Sequence, residues 1–170
     1  MEASRKAAML LYEYARGIQV PVMVSGHHTS SGSVIYSVFT DFDSPNQKKD
    51  GYRIAKMEAG GSNRDGFALA ITADILSRRP EEYKVLYIIS DGQPADYSQG
   101  RFYSGDPAKA DIQSVIKKYE QKGVEFAACA IGSDKDLIEN IYGEKRFVDI
   151  ANLDLLPRTM AEMLKKRILK

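Results

Sequence analysis

Apolar residues recur along the chain in two patterns. One is the spacing of amphipathic helices, and the other is the short continuous run of buried strands. The helical spacing predicts five helices, Glu2–Arg16, Gly66–Arg79, Asp106–Lys122, Asp134–Tyr142 and Pro157–Leu169. A glycine or a proline directly follows the first four, as expected where helices end. Asp106 and Pro107 suit the N-cap and the first position of the third helix.

Short apolar runs rich in β-branched residues predict five strands, Val20–Val24, Val34–Thr40, Lys84–Ser90, Val124–Ile131 and Phe147–Ile150. The Ser/Gly-rich turn Thr29–Ser33 suggests that the first two strands form a hairpin, with the second at a sheet edge. Polar residues predict loops over Asp43–Gly51, Gly60–Gly66 and Asp91–Gly105. Strands that alternate with helices predict an α/β fold with a doubly wound, mostly parallel sheet and one antiparallel edge strand.

Length and composition narrow the class of protein. The chain of 170 residues fits a single domain, residues 1–170, and its net charge of +1 shows no excess of basic residues for nucleic acid. No apolar run is long enough to cross a membrane. The single cysteine, Cys129, lies in an apolar strand, which excludes an internal disulfide and predicts a buried thiol. We therefore expect a cytoplasmic protein with neither nucleic-acid nor membrane partners.

Two polar loops follow predicted elements at one edge of the sheet. They are Gly60–Gly66 and Ser90–Asp96, and both are rich in hydroxyl, amide and carboxylate oxygens. Such oxygens suit Mg²⁺ or Mn²⁺ better than Zn²⁺. Each loop alone is explained as well by helix capping and turn formation. Both together at one edge favour a ligand site, because ligands bind outside the carboxyl ends of parallel strands.

Other chemistries have less support. Neither phosphate-binding glycine motif occurs, although a glycine-rich loop that opens a helix can bind an anion. The G-x-S-x-G motif typical of hydrolases does not occur in this sequence. The two histidines, His27 and His28, are neighbours on a strand, so they point to opposite faces and at most one faces the site. A half-buried or surface role is the more common one for such a residue.

The stretch from Gly60 to Asp96 resembles a von Willebrand factor A domain. In that family three loops form a metal-ion-dependent adhesion site: D-x-S-x-S after the first strand, a threonine in a second loop, and an aspartate after the fourth strand. Asp91 in I-I-S-D-G matches the third loop, and G-G-S-N-R-D-G-F-A-L resembles the second, with Ser62 or Asn63 at the threonine position. The resemblance implies a Rossmann-like fold.

A narrower resemblance covers nearly the whole chain. The pattern N-x-D-G-x-A-L, a helix, R-P-E, an apolar strand and S-D-G-x-P is similar to the cobaltochelatase-subunit and nitric-oxide-reductase-activation subgroup. In this subgroup Asn63 and Asp65 match the second loop. The resemblance thus implies Asp91, Ser62, Asn63 and Asp65 as metal ligands, with Mg²⁺ or Mn²⁺ as the cofactor.

The motif D-x-S-x-S does not occur in this sequence. In the family it follows the central strand of the sheet, in the order 3-2-1-4-5-6. We therefore expect this chain to be an N-terminally truncated domain that lacks part of the ligand set. We expect the central strand to be missing or replaced. Either Val20–Val24 pairs with Val85–Ile89, or two chains complete each other's sheet as a homodimer.

The resemblance implies a protein-interaction module without catalytic activity of its own. It would capture a carboxylate of a partner protein, and act with a MoxR- or chelatase-type ATPase to assemble, activate or metallate a target enzyme. The alternative is an accessory subunit of a cobalt or magnesium chelatase that inserts metal into a tetrapyrrole. The loop after Asp91 offers Tyr97, Arg101, Phe102 and Tyr103 as partner-binding residues, or as ordinary packing over the sheet edge.

Overall fold

The structure, a computed structural model, describes residues 2–45, 47–90, 94–100, 102–130, 135–149, 158 and 161–162. The helices are α1 (Glu2–Gly17), α2 (Gln47–Ala55), α3 (Asp65–Ser77), α4 (Gly105–Glu120) and α5 (Lys135–Tyr142). The strands are β1 (Val24–Ser30), β2 (Ser33–Thr40), β3 (Lys84–Ser90), β4 (Val124–Ala130) and β5 (Phe147–Asp149). Short 3₁₀ turns lie at Ser98–Gly100 and Glu144–Arg146.

The strands form two sheets. β1 and β2 form an antiparallel hairpin whose two-residue turn, Ser31-Gly32, has positive φ at both positions. That backbone geometry matches the twist of a tight hairpin. β3, β4 and β5 lie parallel in that order, with Lys84 opposite Val124. The predicted fold class is therefore confirmed, including its antiparallel hairpin.

Helices cover both faces of the parallel sheet. On one face, Leu69 of α3, Ile112 of α4 and Ile138 of α5 pack with Leu86 and Phe126 of the sheet. On the other face, Leu11 of α1 packs with Tyr87, Ile89 and Cys129. β4 is buried almost throughout its length, as expected for the middle strand of a parallel sheet between two helical layers.

Two sequence-based predictions are wrong in this region. The first strand begins at Val24 and not at Val20, because residues 20–23 form an irregular connection from α1 to β1. The predicted loop Asp43–Gly51 contains most of α2, whose Ile54 is fully buried beside Tyr12 of α1. Tertiary packing against α1 favours this helix more than its polar sequence does.

The amino end of α4 also differs from the prediction. The N-cap residue is Ser104 and not Asp106, so Asp106 and Pro107 lie within the first turn of the helix. Most of the predicted C-terminal helix lies outside the described residues. Its described residues, Arg158, Ala161 and Glu162, are helical. Among the described helices, none has the length and apolar character needed to span a membrane.

A cavity of about 670 Å³ separates β1 from β3. In the described part of the chain no strand lies between them. The predicted pairing of Val20–Val24 with Val85–Ile89 is wrong, since β1 pairs only with β2 and β3 pairs only with β4 among the described strands. A homodimer through sheet completion stays a prediction.

Candidate functional site

The polar loop before α3, residues 60–64, lies directly against the end of β1. The backbone N–H of Thr29 donates a hydrogen bond to the carbonyl of Ser62, which forms an isolated antiparallel bridge. A Cβ on Gly60 would lie 2.1 Å from His28 Cγ, and one on Gly61 would lie 2.6 Å from the Thr29 carbonyl oxygen. The two glycines thus allow the loop to approach the strand closely.

Asn63 joins this loop to the loop after β3. Its backbone N–H donates to the carbonyl of Ala95 over 3.0 Å, and its side-chain Oδ1 accepts the N–H of Ala95 over 2.8 Å. Two hydrogen bonds between the same two residues fix one loop relative to the other. The sequence-based expectation that the two loops meet at one edge of the fold is confirmed for Asn63 and Ala95.

Asp65 is the first residue of α3, and its side chain is buried. Its Oδ1 lies 3.0 Å from Nε2 of His27 on β1, and its Oδ2 accepts a 3.5 Å hydrogen bond from the Tyr142 hydroxyl. Burial, together with the neighbouring Asp65 carboxylate, raises the pKa of the Tyr142 phenol well above its ordinary value. The carboxylate therefore connects β1, α3 and α5.

Arg64 and Asp96 form a second link between the two loops. The guanidinium Nε of Arg64 pairs with Oδ2 of Asp96, whose side chain is only 1% exposed. Burial alone would raise the pKa of Asp96. Hydrogen bonds from Ser98, and then the Arg64 guanidinium, outweigh burial and hold this pKa below its ordinary value.

The segment from Asp96 to Tyr103 folds back on itself like a hairpin. The backbones of these two residues exchange two hydrogen bonds, both 2.9 Å long. The Tyr103 hydroxyl accepts the N–H of Gly66 over 3.0 Å and donates to Asp111 over 2.9 Å, which ties the segment to α3 and α4. Burial raises the pKa of the Tyr103 phenol.

Next to the Asp96–Tyr103 bridge, this segment presents two aromatic side chains to solvent. Tyr97 is 59% exposed and Phe102 is 77% exposed. Their rings meet edge to face with centroids 5.9 Å apart. An exposed aromatic pair on a tied-down backbone has the character of an interface anchor.

Comparisons with known proteins identify the family of this chain. The sequence model described as "Cobalamin biosynthesis protein CobT VWA domain" matches residues 14–170. The chain belongs to the family of CobT VWA domains. The resemblance to von Willebrand factor A domains is thereby confirmed, as is the cobaltochelatase-like subgroup.

Curated relatives of this CobT-type VWA domain are much longer proteins. YojO of Bacillus subtilis is 24% identical over 178 aligned positions, which cover all of this chain and 28% of YojO. Protein NorD of Brucella abortus is 28% identical over 123 positions, which cover 71% of this chain and 19% of NorD. The matched parts of the chain thus span 28% of YojO and 19% of NorD.

Among solved structures, the pilus adhesin SpaC from Lactobacillus rhamnosus GG is similar in fold. Its TM-score is 0.60 at 13% sequence identity, and the match covers 97% of this chain and 27% of the adhesin. At this level of identity the similarity supports the fold alone.

The predicted metal ligands of the VWA domain occupy different environments. Asp91 lies outside the described residues. Ser62 is exposed, Asn63 is half-buried and Asp65 is buried. The side-chain oxygen of Asn63 already accepts a hydrogen bond from Ala95. The two carboxylate oxygens of Asp65 contact His27 and Tyr142. Within the described part of the chain, no three His, Cys, Asp or Glu side chains gather as a metal-binding group. The described residues alone therefore do not make a complete site for a divalent cation.

The predicted partner-binding residues also separate into groups. Tyr97 and Phe102 are exposed, whereas Tyr103 is turned inward and supports the loop through Gly66 and Asp111. Arg101 lies outside the described residues. Partner binding by this loop stays a prediction.

His27 is half-buried and contacts Asp65, which agrees with the more common role expected for such a histidine. Sequence reasoning missed two residues that shape the site. Arg64 and Asp96 were not singled out, although they form the buried ion pair between the loops. The available signal was the charge of Arg64 inside a loop otherwise rich in small residues. Only the tertiary structure gives its partner.

Proposed function

We propose that this CobT-type VWA domain is a protein-interaction module that acts with a MoxR- or chelatase-type ATPase on a target enzyme. The observation that carries the proposal is the exposed Tyr97–Phe102 pair beside the two polar loops. The Asp96–Tyr103 backbone bridge and the Arg64–Asp96 ion pair hold the base of this segment. A surface fixed before binding loses little conformational entropy when a partner docks.

Support for an accessory role comes from the names of the relatives. The family model is named for cobalamin biosynthesis, and the Brucella relative is named NorD. The ATPase is the partner that the family resemblance implies. Recognition would centre on the aromatic pair, with the polar loops beside it.

We also propose that a divalent cation contributes to this recognition, with Asp91 as its main ligand and Ser62, Asn63 and Asp65 around it. When bound, Mg²⁺ or Mn²⁺ offers an open coordination position to a carboxylate of the partner. Asn63 and Asp65 already contact other protein groups, and Ser62 is exposed. This part of the proposal therefore depends on Asp91.

Binding to an immobilised MoxR-type ATPase from the source genome tests the main proposal. We expect the double variant Tyr97→Ala/Phe102→Ala to weaken binding at least about tenfold, as for removal of an interface anchor. Tyr52→Ala is the matched control, because Tyr52 is also 59% exposed but lies on α2. Equal binding by the double variant and the wild type would contradict the assignment of this surface.

Calorimetric titration with Mg²⁺ and Mn²⁺ tests the metal separately. We expect heat of binding with the wild type and none with Asp91→Ala. Asp106→Ala, which removes an exposed carboxylate from α4, serves as the control. Absence of binding to the wild type would reject the metal for this chain and leave the aromatic surface to be judged by the ATPase experiment.

The alternative function, an accessory subunit of a chelatase, has one specific support in the name of the matched family. It predicts that the chain changes the absorbance spectrum of a metal-free corrin or porphyrin at stoichiometric concentrations. The interaction-module proposal predicts an unchanged spectrum.

A further inference from the structure

The described helices differ in the sign of the charges that they carry. α1, α4 and α5 combine acidic and basic residues, and α3 carries only acidic ones. In α2 the single acidic residue, Asp50, is buried, whereas Lys48, Lys49, Arg53 and the following Lys56 are exposed. These four cations form what we call the basic face of α2. The net charge of the chain is only +1, so this concentration of positive charge is local.

The spacing of these residues brings them together on one side of the helix. Lys48, Tyr52 and Lys56 follow one another at four-residue intervals, which stacks their side chains along about 12 Å of helix. Tyr52 is 59% exposed, and the Lys56 ammonium lies 4.6 Å from the centre of its ring. Arg53 is the next residue along this surface, and its side chain is 48% exposed. The basic face is thus a stripe of cations around one aromatic side chain.

The opposite face of α2 fixes the helix on α1. Ile54 is fully buried and packs with Tyr12, and the Tyr12 hydroxyl donates a 3.5 Å hydrogen bond to Asp50. At the carboxyl end of α2, Arg5 of α1 donates to the carbonyl of Ala55 over 3.3 Å. The backbone that carries the basic face is therefore held in place before any partner docks, which lowers the entropic cost of binding.

The stability of α2 does not explain its cations. Lys48 and Lys49 lie in the first turn, where the positive end of the helix dipole opposes them. Lys49 and Arg53 are like charges four residues apart, an arrangement that destabilises a helix. Within the helix, Asp50 offsets part of this charge, since its Oδ1 lies 3.6 Å from Nη1 of Arg53. A partner that brings negative charge to this face would relieve the remaining repulsion.

We propose that the basic face of α2 binds a short acidic segment of a partner protein. Charge complementarity carries the assignment, because ammonium and guanidinium groups donate charge-assisted hydrogen bonds to carboxylates. Several Asp or Glu side chains of the segment would pair with Lys48, Arg53 and Lys56 over the length of the helix. The proposal goes beyond the proposed function, because it depends neither on the Tyr97–Phe102 pair nor on a metal.

Two other anionic partners fit this face less well. A helix that binds a membrane surface inserts its apolar face between the lipids, whereas Ile54 on the apolar face of α2 is packed against α1. Nucleic acid usually binds domains with a large excess of basic residues, and this chain has almost none. An acidic protein segment requires only the few cations that a single helix provides.

Fluorescence anisotropy with a labelled peptide of six glutamate–serine repeats tests the proposal at low ionic strength. We expect the wild-type chain to bind this peptide and not the matched peptide of glutamine–serine repeats. Lys48→Glu/Lys56→Glu should weaken binding at least about tenfold, because two attractive charges become repulsive. Lys117→Glu/Lys118→Glu makes the same change of charge at two exposed positions of α4 and should bind like the wild type. No binding to the wild type, or an equal loss in both double variants, would overturn the proposal.

Carbodiimide cross-linking of the peptide to the wild-type chain locates the contact without any substitution. The reagent joins a carboxylate to a neighbouring lysine amine as an amide, so mass spectrometry identifies the lysines that the peptide touches. We expect the cross-links to be concentrated at Lys48, Lys49 and Lys56. Cross-links that lie mainly on lysines of other elements would overturn the assignment to α2.

The same anisotropy assay separates the classes of partner. A single-stranded oligonucleotide and vesicles containing phosphatidylserine are the two comparison probes. We expect both to bind more weakly than the glutamate peptide. Tighter binding of either probe, lost in Lys48→Glu/Lys56→Glu, would overturn the acidic protein segment in favour of nucleic acid or a membrane surface.

Discussion

Nε2 of His27 lies 3.0 Å from Oδ1 of Asp65 and so joins the middle of β1 to the first turn of α3. The Asp65 side chain is 7% exposed and the His27 side chain 25%. β1 and α3 both line the cavity. The contact therefore joins the two-stranded sheet to a helix that packs on the three-stranded sheet, and no described strand bridges the two sheets. The candidate site and the cavity between β1 and β3 are therefore adjacent, since Asn63 and Asp65 line both.

A double-mutant cycle measures that contact. We expect Asp65→Ala to lower the free energy of unfolding by about 1–3 kcal/mol, because His27 and Tyr142 lose their carboxylate partner. Combined with His27→Ala, the cycle should give a coupling energy of at least about 0.5 kcal/mol in urea unfolding. The cycle of His28→Ala with Asp65→Ala is the control and should be additive. Additivity of the first cycle would show that the contact does not stabilise the fold.

Asn63 should control the order of the loop after β3. Asn63→Ala removes the acceptor for the Ala95 N–H, so exchange of that amide should become faster, with a loss of about 1 kcal/mol of stability. Asn63→Asp keeps an acceptor and should restore most of the protection. Asn140→Ala, at an exposed position of α5, should leave Ala95 unchanged. The same exchange rate in all variants would contradict a role for the Asn63 side chain.

Gly61 should resist substitution by alanine. The added Cβ would lie 2.6 Å from the Thr29 carbonyl oxygen, so the loop must move away from β1. We expect Gly61→Ala to cost about 1–3 kcal/mol in thermal or urea unfolding, as for other overpacking substitutions. Gly17→Ala, with no atom within 4 Å of the new Cβ, should be neutral or stabilising. Equal stabilities for the two variants would disprove the close approach.

The ion pair of Asp96 predicts a dependence of stability on pH. Its pKa in the folded chain is lower than the ordinary value of 3.8, so its stabilising contribution is complete above that value. The contribution is lost as the pH falls through the lowered folded-state pKa. The difference in unfolding free energy between the wild type and Asp96→Asn should therefore be largest near neutral pH and shrink on acidification to about pH 2. A constant difference over this range would contradict the assignment.

Cys129 should not react with thiol reagents in the folded chain. The side chain is fully buried in β4, and burial raises the pKa of its thiol to about 12. Since the thiolate is the reactive form, labelling at mildly alkaline pH should require unfolding. The measurement is the labelling rate with and without urea, and the chain contains no other thiol to interfere. Rapid labelling without urea would show that β4 is more accessible than described.

Much of the fold follows from local sequence patterns. Apolar periodicity is sufficient for α1, α3 and α4, and short apolar runs are sufficient for β3 and β4, because both patterns report directly on burial. α2 was missed since its stability comes from Ile54 packing with Tyr12 of α1, a contact that its own polar sequence does not indicate. The start of β1 was misplaced for the same reason, as pairing with β2 fixes it.

The sequence by itself determined the family, the order of elements, the two polar loops and the absence of D-x-S-x-S. Those features depend on residue type and spacing. Only the tertiary structure decided that Asn63 binds Ala95, that His27 reaches Asp65 and that Arg64 pairs with Asp96. Each contact joins residues more than 30 positions apart, and the distance between such side chains depends on how helices and strands pack. The same packing leaves a cavity of about 670 Å³ between β1 and β3.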